Sequence, residues 1–152
     1  MKKNYKLINC DVVNSTNFEL KKILLKKKRI ENICLSANNQ KKGYGRRKTK
    51  WFSYKGNLHL SILLKPNCKL EQANQLSYLT SICIGEALNK WKKKINITYK
   101  WPNDILLNKK KIAGVMLETS SIQNKKIKWV IIGIGMNILH YPNLKKKEFK
   151  IS

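Results

Sequence analysis

The order in which strand-like and helical runs alternate restricts the folds open to this chain more than any other feature. Residues 5–13 read as a first strand. Ser15-Thr16-Asn17 then supply hydroxyl and amide caps, and 18–28 follow as an amphipathic helix with Leu20, Ile23 and Leu24 inward. Residues 33–37 form a short apolar strand, and 57–64 alternate as another that Pro66 closes. Over 70–91, Ala73, Leu76, Leu79, Ile82, Cys83 and Ala87 recur at helical spacing and predict one long helix with that side inward. The strand 95–101 stops at Pro102-Asn103, and 104–107 pair with 111–119 across Asn108-Lys109-Lys110. A second hairpin turns through 123–126 before 127–138, the most apolar strand. The order β-α-β-β-α followed by hairpins predicts an α+β fold, a mixed β-sheet with helices packed on one face.

Size and charge set the outer bounds. The 152 residues, 42% of them hydrophobic, suit one domain with a real core. No apolar run approaches ~18 residues, so no membrane-spanning helix is expected, and the N-terminus lacks the pattern of a secretory signal. Four widely spaced cysteines and two histidines, without a CxxC pair, argue against a zinc site or disulfide framework. Reduced, mostly buried thiols in a cytoplasmic protein are the expectation. A net charge of +25 brings nucleic-acid binding to mind. Yet Arg29, Arg46 and Arg47 are the only arginines, and lysine runs at 26–28, 92–94, 109–111 and 145–147 fall near expected element ends. A solvated surface of biased composition accounts for them, with weak, salt-sensitive attraction to anions as the competing reading.

Four constellations could carry chemistry. Residues 38–56 form a basic, glycine-containing loop of roughly 19 residues, far longer than an ordinary connection. Within it lie Gly43-Tyr44-Gly45-Arg46-Arg47, then Trp51, Ser53 and Gly56-Asn57-Leu58. Glycines let backbone N–H groups approach an anion, and an arginine fork can grip phosphate or carboxylate where lysine cannot. A solvated turn with incidental arginines stays open. In Lys100-Trp101-Pro102-Asn103-Asp104, the proline forces a sharp turn, and Asp104 could hold Mg²⁺ or orient a lysine. Lys111-Ile112-Ala113-Gly114, leading to Glu118, removes bulk where a ligand or backbone must lie against a strand. Gly133-Ile134-Gly135-Met136-Asn137 sits inside a strand rather than opening a helix, so it is no dinucleotide fingerprint; its glycines predict close approach by another group.

In this order, over about residues 7–139, these blocks resemble the biotin protein ligases. The resemblance implies that biotin and ATP give biotinyl-AMP, and that the biotinyl group passes to a lysine of the biotin carrier domain of acetyl-CoA carboxylase. It implies biotin contacts from Ser15, Thr16, Asn17, Gln40, Gly43, Tyr44, Gly45, Arg46, Lys111 and Gly114. Lys111 would bridge carboxylate and phosphate as the catalytic lysine, with Arg46 beside it on the closing loop. Arg47, Trp51, Lys100, Asn103, Asp104 and Asn137 would form the nucleotide side, with Mg²⁺ at Asp104. Relatives usually carry arginine where this chain has Tyr44, and often Gly-Arg where it has Lys48-Thr49, so weaker loop closure is expected. The chain is expected to be the catalytic domain alone over 1–152, without the DNA-binding winged helix or the C-terminal β-barrel of relatives. No specific DNA binding is expected, and a homodimer through a sheet edge is left open. Two alternatives stand beside this reading. One is a lipoate or octanoyl transferase, which would need a histidine-bearing loop that His59 and His140 do not form. The other is a non-catalytic basic remnant binding anions or RNA.

Overall fold

The structure is a computed structural model; it describes residues 5–26, 32–66, 68–92, 95–120, 122–123 and 126–142. The expected C-terminal end of the first helix at Lys27-Lys28, the Asn124-Lys125 turn tip, and the lysines at 93–94 and 145–147 lie outside these residues. The elements are β1 (Lys6–Val13), α1 (Thr16–Lys26), β2 (Ile33–Gln40), β3 (Leu58–Leu64), α2 (Leu70–Trp91), β4 (Ile97–Lys100), β5 (Asp104–Leu107), β6 (Lys110–Thr119), β7 (Ile122–Gln123), β8 (Lys126–Ile127) and β9 (Val130–Met136). One seven-stranded sheet has the order β1-β2-β3-β9-β6-β5-β4. Only β1 and β2 pair in parallel; the other ladders are antiparallel, and β7 and β8 form a separate ribbon.

The expected α+β class and mixed sheet are what the chain builds. The apolar run of β9 lies at the centre between β3 and β6, where both faces are covered. Successive side chains of a strand point to opposite faces, and the core divides accordingly. Val130, Ile132 and Ile134 pack with Ala73 of α2, Ile105 and Val115. Ile131 and Leu63 pack with Leu20 of α1, Ile33 and Leu35. The two helices therefore occupy opposite faces, which corrects the expectation that they share one. Crossover handedness supplies the reason. The steps β1→β2 and β3→β4 move the same way across the sheet, but their strands run in opposite directions. Right-handed connections then place α1 and α2 on opposite sides.

Two further details differ from the sequence reading. β2 continues to Gln40 rather than stopping at residue 37, because Val12 and Val13 pair with Asn39 and Gln40, and Asn38 donates a side-chain hydrogen bond to Asp11. In α2, Ala73, Ser81 and Gly85 are buried, whereas Leu79, Ile82, Cys83 and Ala87 are exposed. The helix carries apolar residues on two stripes, and packing rather than hydrophobicity chooses the inner one. A Cβ on Gly85 would fall on the Tyr99 hydroxyl, so β4 can approach only across that glycine. The four cysteines are free thiols, three partly buried and Cys83 exposed, less buried than expected. No helix among the described residues is long and apolar enough to cross a membrane.

Candidate functional site

The expected site motifs gather at one end of the sheet. Ladder register places Asp104 opposite Gly114, Gly114 opposite Gly135, and Leu58 opposite Met136, while the Asn137 N–H donates to the Ile112 carbonyl. The ends of β1 and β2, with Ser15 to Asn17 and Gln40, reach the same end. The side chains on the α1 face form the candidate site.

At the N-terminus of α1, the Thr16 backbone N–H and hydroxyl both reach Gln40 Oε1, at 2.9 and 3.2 Å. The Ser61 hydroxyl, fully buried, lies 2.7 Å from Thr16 Oγ1 and 2.5 Å from Asn17 Oδ1. Asn17 is buried, and its Nδ2 has no hydrogen-bond partner. The glycines of β9 explain how this packing is reached. A Cβ on Gly133 would lie 2.5 Å from Asn17 Oδ1, and one on Gly135 would lie 2.4 to 2.8 Å from three atoms of the Trp51 indole. The close approach expected at this strand is thus made by two of the chain's own side chains. Trp51 Nε1 is likewise buried without a partner. Unpaired buried N–H groups cost roughly 1–3 kcal/mol each, and both of these lie on the α1 face of the sheet.

The glycine-arginine loop forms a flap over this face. Gly43 O accepts the Trp51 N–H at 3.0 Å, Tyr44 bridges to Lys50, and the Gly45 N–H donates to Thr49 O at 2.8 Å. A Cβ on Gly43 would lie 2.9 Å from Trp51 O, so glycine is required where the two limbs of the flap meet. At the tip, Arg47 and Lys48 have φ of 52° and 59°, in the left-handed region. Arg46 Nη1 donates to Asn103 Oδ1 at 3.1 Å, and Asn103 Nδ2 donates to Val115 O at 2.7 Å. Lys111 Nζ pairs with Asp104 Oδ1 at 2.7 Å and lies 5.8 Å from the Trp51 ring centre. Trp51 also touches the Cβ position of Gly114 at 3.5 Å, as does the end of Lys111.

An open cleft of about 680 Å³ lies under the flap, lined by Lys21, Tyr44, Gly45, Arg46, Arg47, Lys48, Met116, Leu117 and Glu118. That volume is within the range of ligand pockets. Lys111 and Asn137 are not part of its lining; the indole of Trp51 covers the strand glycines beside them. Lys100 is exposed and pairs in register with Asp104. Among the described residues no three His, Cys, Asp or Glu side chains converge as metal ligands, and Asp104 Oδ1 already holds Lys111. A single carboxylate already paired with a lysine is a poor seat for a resident Mg²⁺. Magnesium arriving with ATP is held mainly by phosphate oxygens and belongs to the substrate.

Several contributors carried no role in the sequence reading. Asn57, buried, accepts the N–H groups of residues 138, 139 and 140 on Oδ1 and donates to Asn137 Oδ1 at 3.2 Å, which fixes the orientation of that amide. His59 Nδ1 lies 3.2 Å from Ala37 O, which can only accept, so its Nε2 accepts from Ser53 Oγ at 3.0 Å. Ser53 Oγ in turn accepts the Gln40 N–H at 2.8 Å, joining the end of the flap to β2. The signal for His59 and Ser61 was present: two polar residues spaced by two within an apolar strand must share a face and a partner.

Burial holds the His59 pKa below its ordinary 6.5, against a smaller opposing effect of the Ala37 carbonyl. The unfolded chain binds a proton near that ordinary value, whereas the folded chain does so only at lower pH. Stability is therefore full above about pH 6.5 and falls as pH drops from there toward the folded pKa. Denaturant melts between pH 7.5 and 5 should show this loss, and His59→Gln should flatten it. A His59→Gln profile with the wild-type slope would assign the loss to other groups.

The biotin/lipoate A/B protein ligase family profile matches residues 10–137. The chain belongs to this family. Its relatives include the bifunctional ligase/repressor BirA of Bacillus subtilis, 34% identical over 121 residues. That match covers 79% of this chain and 37% of the relative. The biotin--[acetyl-CoA-carboxylase] ligase of Paracoccus denitrificans is 34% identical over 108 residues, covering 70% of this chain and 45% of the relative. Among solved structures, the biotin protein ligase of Leishmania major in complex with biotinyl-5-AMP superposes with a TM-score of 0.78 at 25% identity. It covers 91% of this chain and 60% of that one. The chain thus spans less than half the length of these curated relatives, and its fold is that of the biotin protein ligase catalytic domain.

Proposed function

We propose that the chain activates biotin with ATP to biotinyl-AMP and transfers the biotinyl group to a lysine of a biotin carrier domain, that of acetyl-CoA carboxylase. One observation carries the reading: two unpaired buried donors, Asn17 Nδ2 and Trp51 Nε1, face the same end of the sheet as Lys111 and the Arg46–Asn103 pair. A ureido carbonyl suits the amide donor. The carboxylate of biotin and the α-phosphate of ATP suit Lys111 and Arg46. Both steps build negative charge on phosphate or acyl oxygens, and fixed cations stabilise that charge without reorganising during the reaction. In this reading Thr16, Asn17 and Gln40 take the biotin head, and Asn137, oriented by Asn57, takes part of the nucleotide.

Incubating the chain with ATP, radiolabelled biotin and a carrier domain tests this directly. Labelled carrier and pyrophosphate release are expected. A folded sample that forms neither adenylate nor labelled carrier would refute it. The lipoate alternative is tested in the same assay by substituting octanoate or lipoate, which should leave the carrier unlabelled.

A further inference from the structure

The tyrosine between the two flap glycines, Gly43 and Gly45, is engaged in a contact that the sequence did not foreshadow. Tyr44 lies in the flap, and its hydroxyl donates to Glu118 Oε1 at 2.7 Å, 74 residues away on β6. The other oxygen of Glu118 is ion-paired with Lys21 of α1. The side chain of Ser15, just before α1, acts on the same phenol in the opposite sense and lowers its pKa by a smaller amount. Burial and the Glu118 carboxylate push the Tyr44 pKa up to about 12, so the phenol stays a donor throughout the physiological range. Glu118 is mostly shielded from solvent, and it lies at the wall of the cleft with Tyr44 and Lys21. Three segments distant in sequence therefore meet on one carboxylate.

We propose that Glu118 is a positioning residue that latches the flap shut over the cleft, acting through Tyr44 and itself held by Lys21. A neutral phenol can be released from a carboxylate without leaving a cation buried, whereas an arginine at position 44 would leave an unpaired charge. The latch is therefore strong enough to order the flap and weak enough to open for a ligand. It involves none of the reacting groups, since Lys111 and Arg46 have their own partners in Asp104 and Asn103.

Trypsin reads the latch without any ligand, because Arg46, Arg47, Lys48 and Lys50 all lie in the flap. Cleavage there, followed by mass spectrometry, is compared with cleavage after Lys90 in α2, which reports opening unrelated to the flap. Tyr44→Phe and Glu118→Ala should each speed flap cleavage by about tenfold, the size expected for losing a hydrogen bond to a charged group. The Lys90 site should keep its wild-type rate. The double variant should be no faster than the faster single one, because both remove the same contact. Glu118→Gln, which keeps an oxygen for the phenol, should restore much of the protection. Unchanged flap cleavage in both single variants, an equal rise at Lys90, or multiplicative effects in the double variant would overturn the proposal. Its consequence for catalysis rests on the proposed function: Glu118→Ala should raise the KM for biotin more than it lowers kcat. The proteolysis needs no biotin, so failure of the latch and failure of the ligase reading are distinguishable.

Discussion

If the chain catalyses the proposed ligase reaction, Lys111→Ala is expected to slow formation of the acyl-adenylate by on the order of 10²-fold or more, with little change in thermal stability. The two halves of this expectation have different physical origins. The ammonium lies at the start of β6, paired with Asp104 at 2.7 Å, and its side chain is 44% exposed. A pair that open to water contributes at most about 1 kcal/mol to folding, so truncating it leaves the sheet intact. During reaction the same ammonium would face a carboxylate attacking a phosphate, where charge grows on both. A preformed cation is worth far more against that growing charge than against a ground state already solvated by water. Pyrophosphate release with biotin and ATP measures the first half, and a thermal melt measures the second. A variant that keeps its melting temperature and its rate would remove Lys111 from the chemistry. Asp104→Asn refines the result. If Asp104 acts by aiming the lysine, this variant should show a smaller loss than Lys111→Ala, and combining the two should add little beyond Lys111→Ala.

The largest expected effect on stability comes from a single methyl group. Gly135→Ala places a Cβ 2.4 Å from Trp51 Cε2 and 2.6 and 2.8 Å from two neighbouring indole atoms. None of these is the free end of a flexible chain. The indole covers the positions of Gly114 and Gly135, and its backbone is tied to Gly43 O, so the ring must leave or the central strand must move. Overpacking of this kind costs about 1–3 kcal/mol, and expulsion of a packed indole would bring the cost to the top of that range or beyond. In a chain of this size each kcal/mol lowers Tm by about 2–4 °C, so a drop of roughly 6–12 °C is expected. The flap should loosen as well, because Trp51 is the weight that seats its second limb. The control is Trp51→Ala. In that background Gly135→Ala should cost almost nothing more, since the clash has no partner. If the two costs add, the ring and the strand are not in conflict and the packing argument fails.

Much of this site could be read from residue order. Glycine, arginine and lysine blocks were expected at one place, and the ladder register brings Lys111, Gly114, Asp104 and Asn137 to one end of the sheet. The departures have specific physical causes. The glycines of β9 announced a close approach but not by what, because a missing Cβ looks the same whether a ligand or a tryptophan fills the space. The inner stripe of α2 was misassigned because Leu79 and Ile82 are as apolar as Leu76 and Ile84. Only the demand of Tyr99 for room at Gly85 settles the phase. Glu118, Asn57 and His59 went without roles because each acts on a residue more than 20 positions away, or on a backbone group whose location depends on the fold.

What the sequence determined by itself is local: where strands and helices fall, where the chain must lack a side chain, and which few residues can carry positive charge in a fixed shape. Periodicity and sterics act between neighbours, so these features are written along the chain. Which face each helix covers, which polar group satisfies which, and where the flap is fastened were decided only by the tertiary structure. Hydrogen bonds and close packing require partners to within tenths of an ångström, and that proximity exists only after distant segments have been brought together.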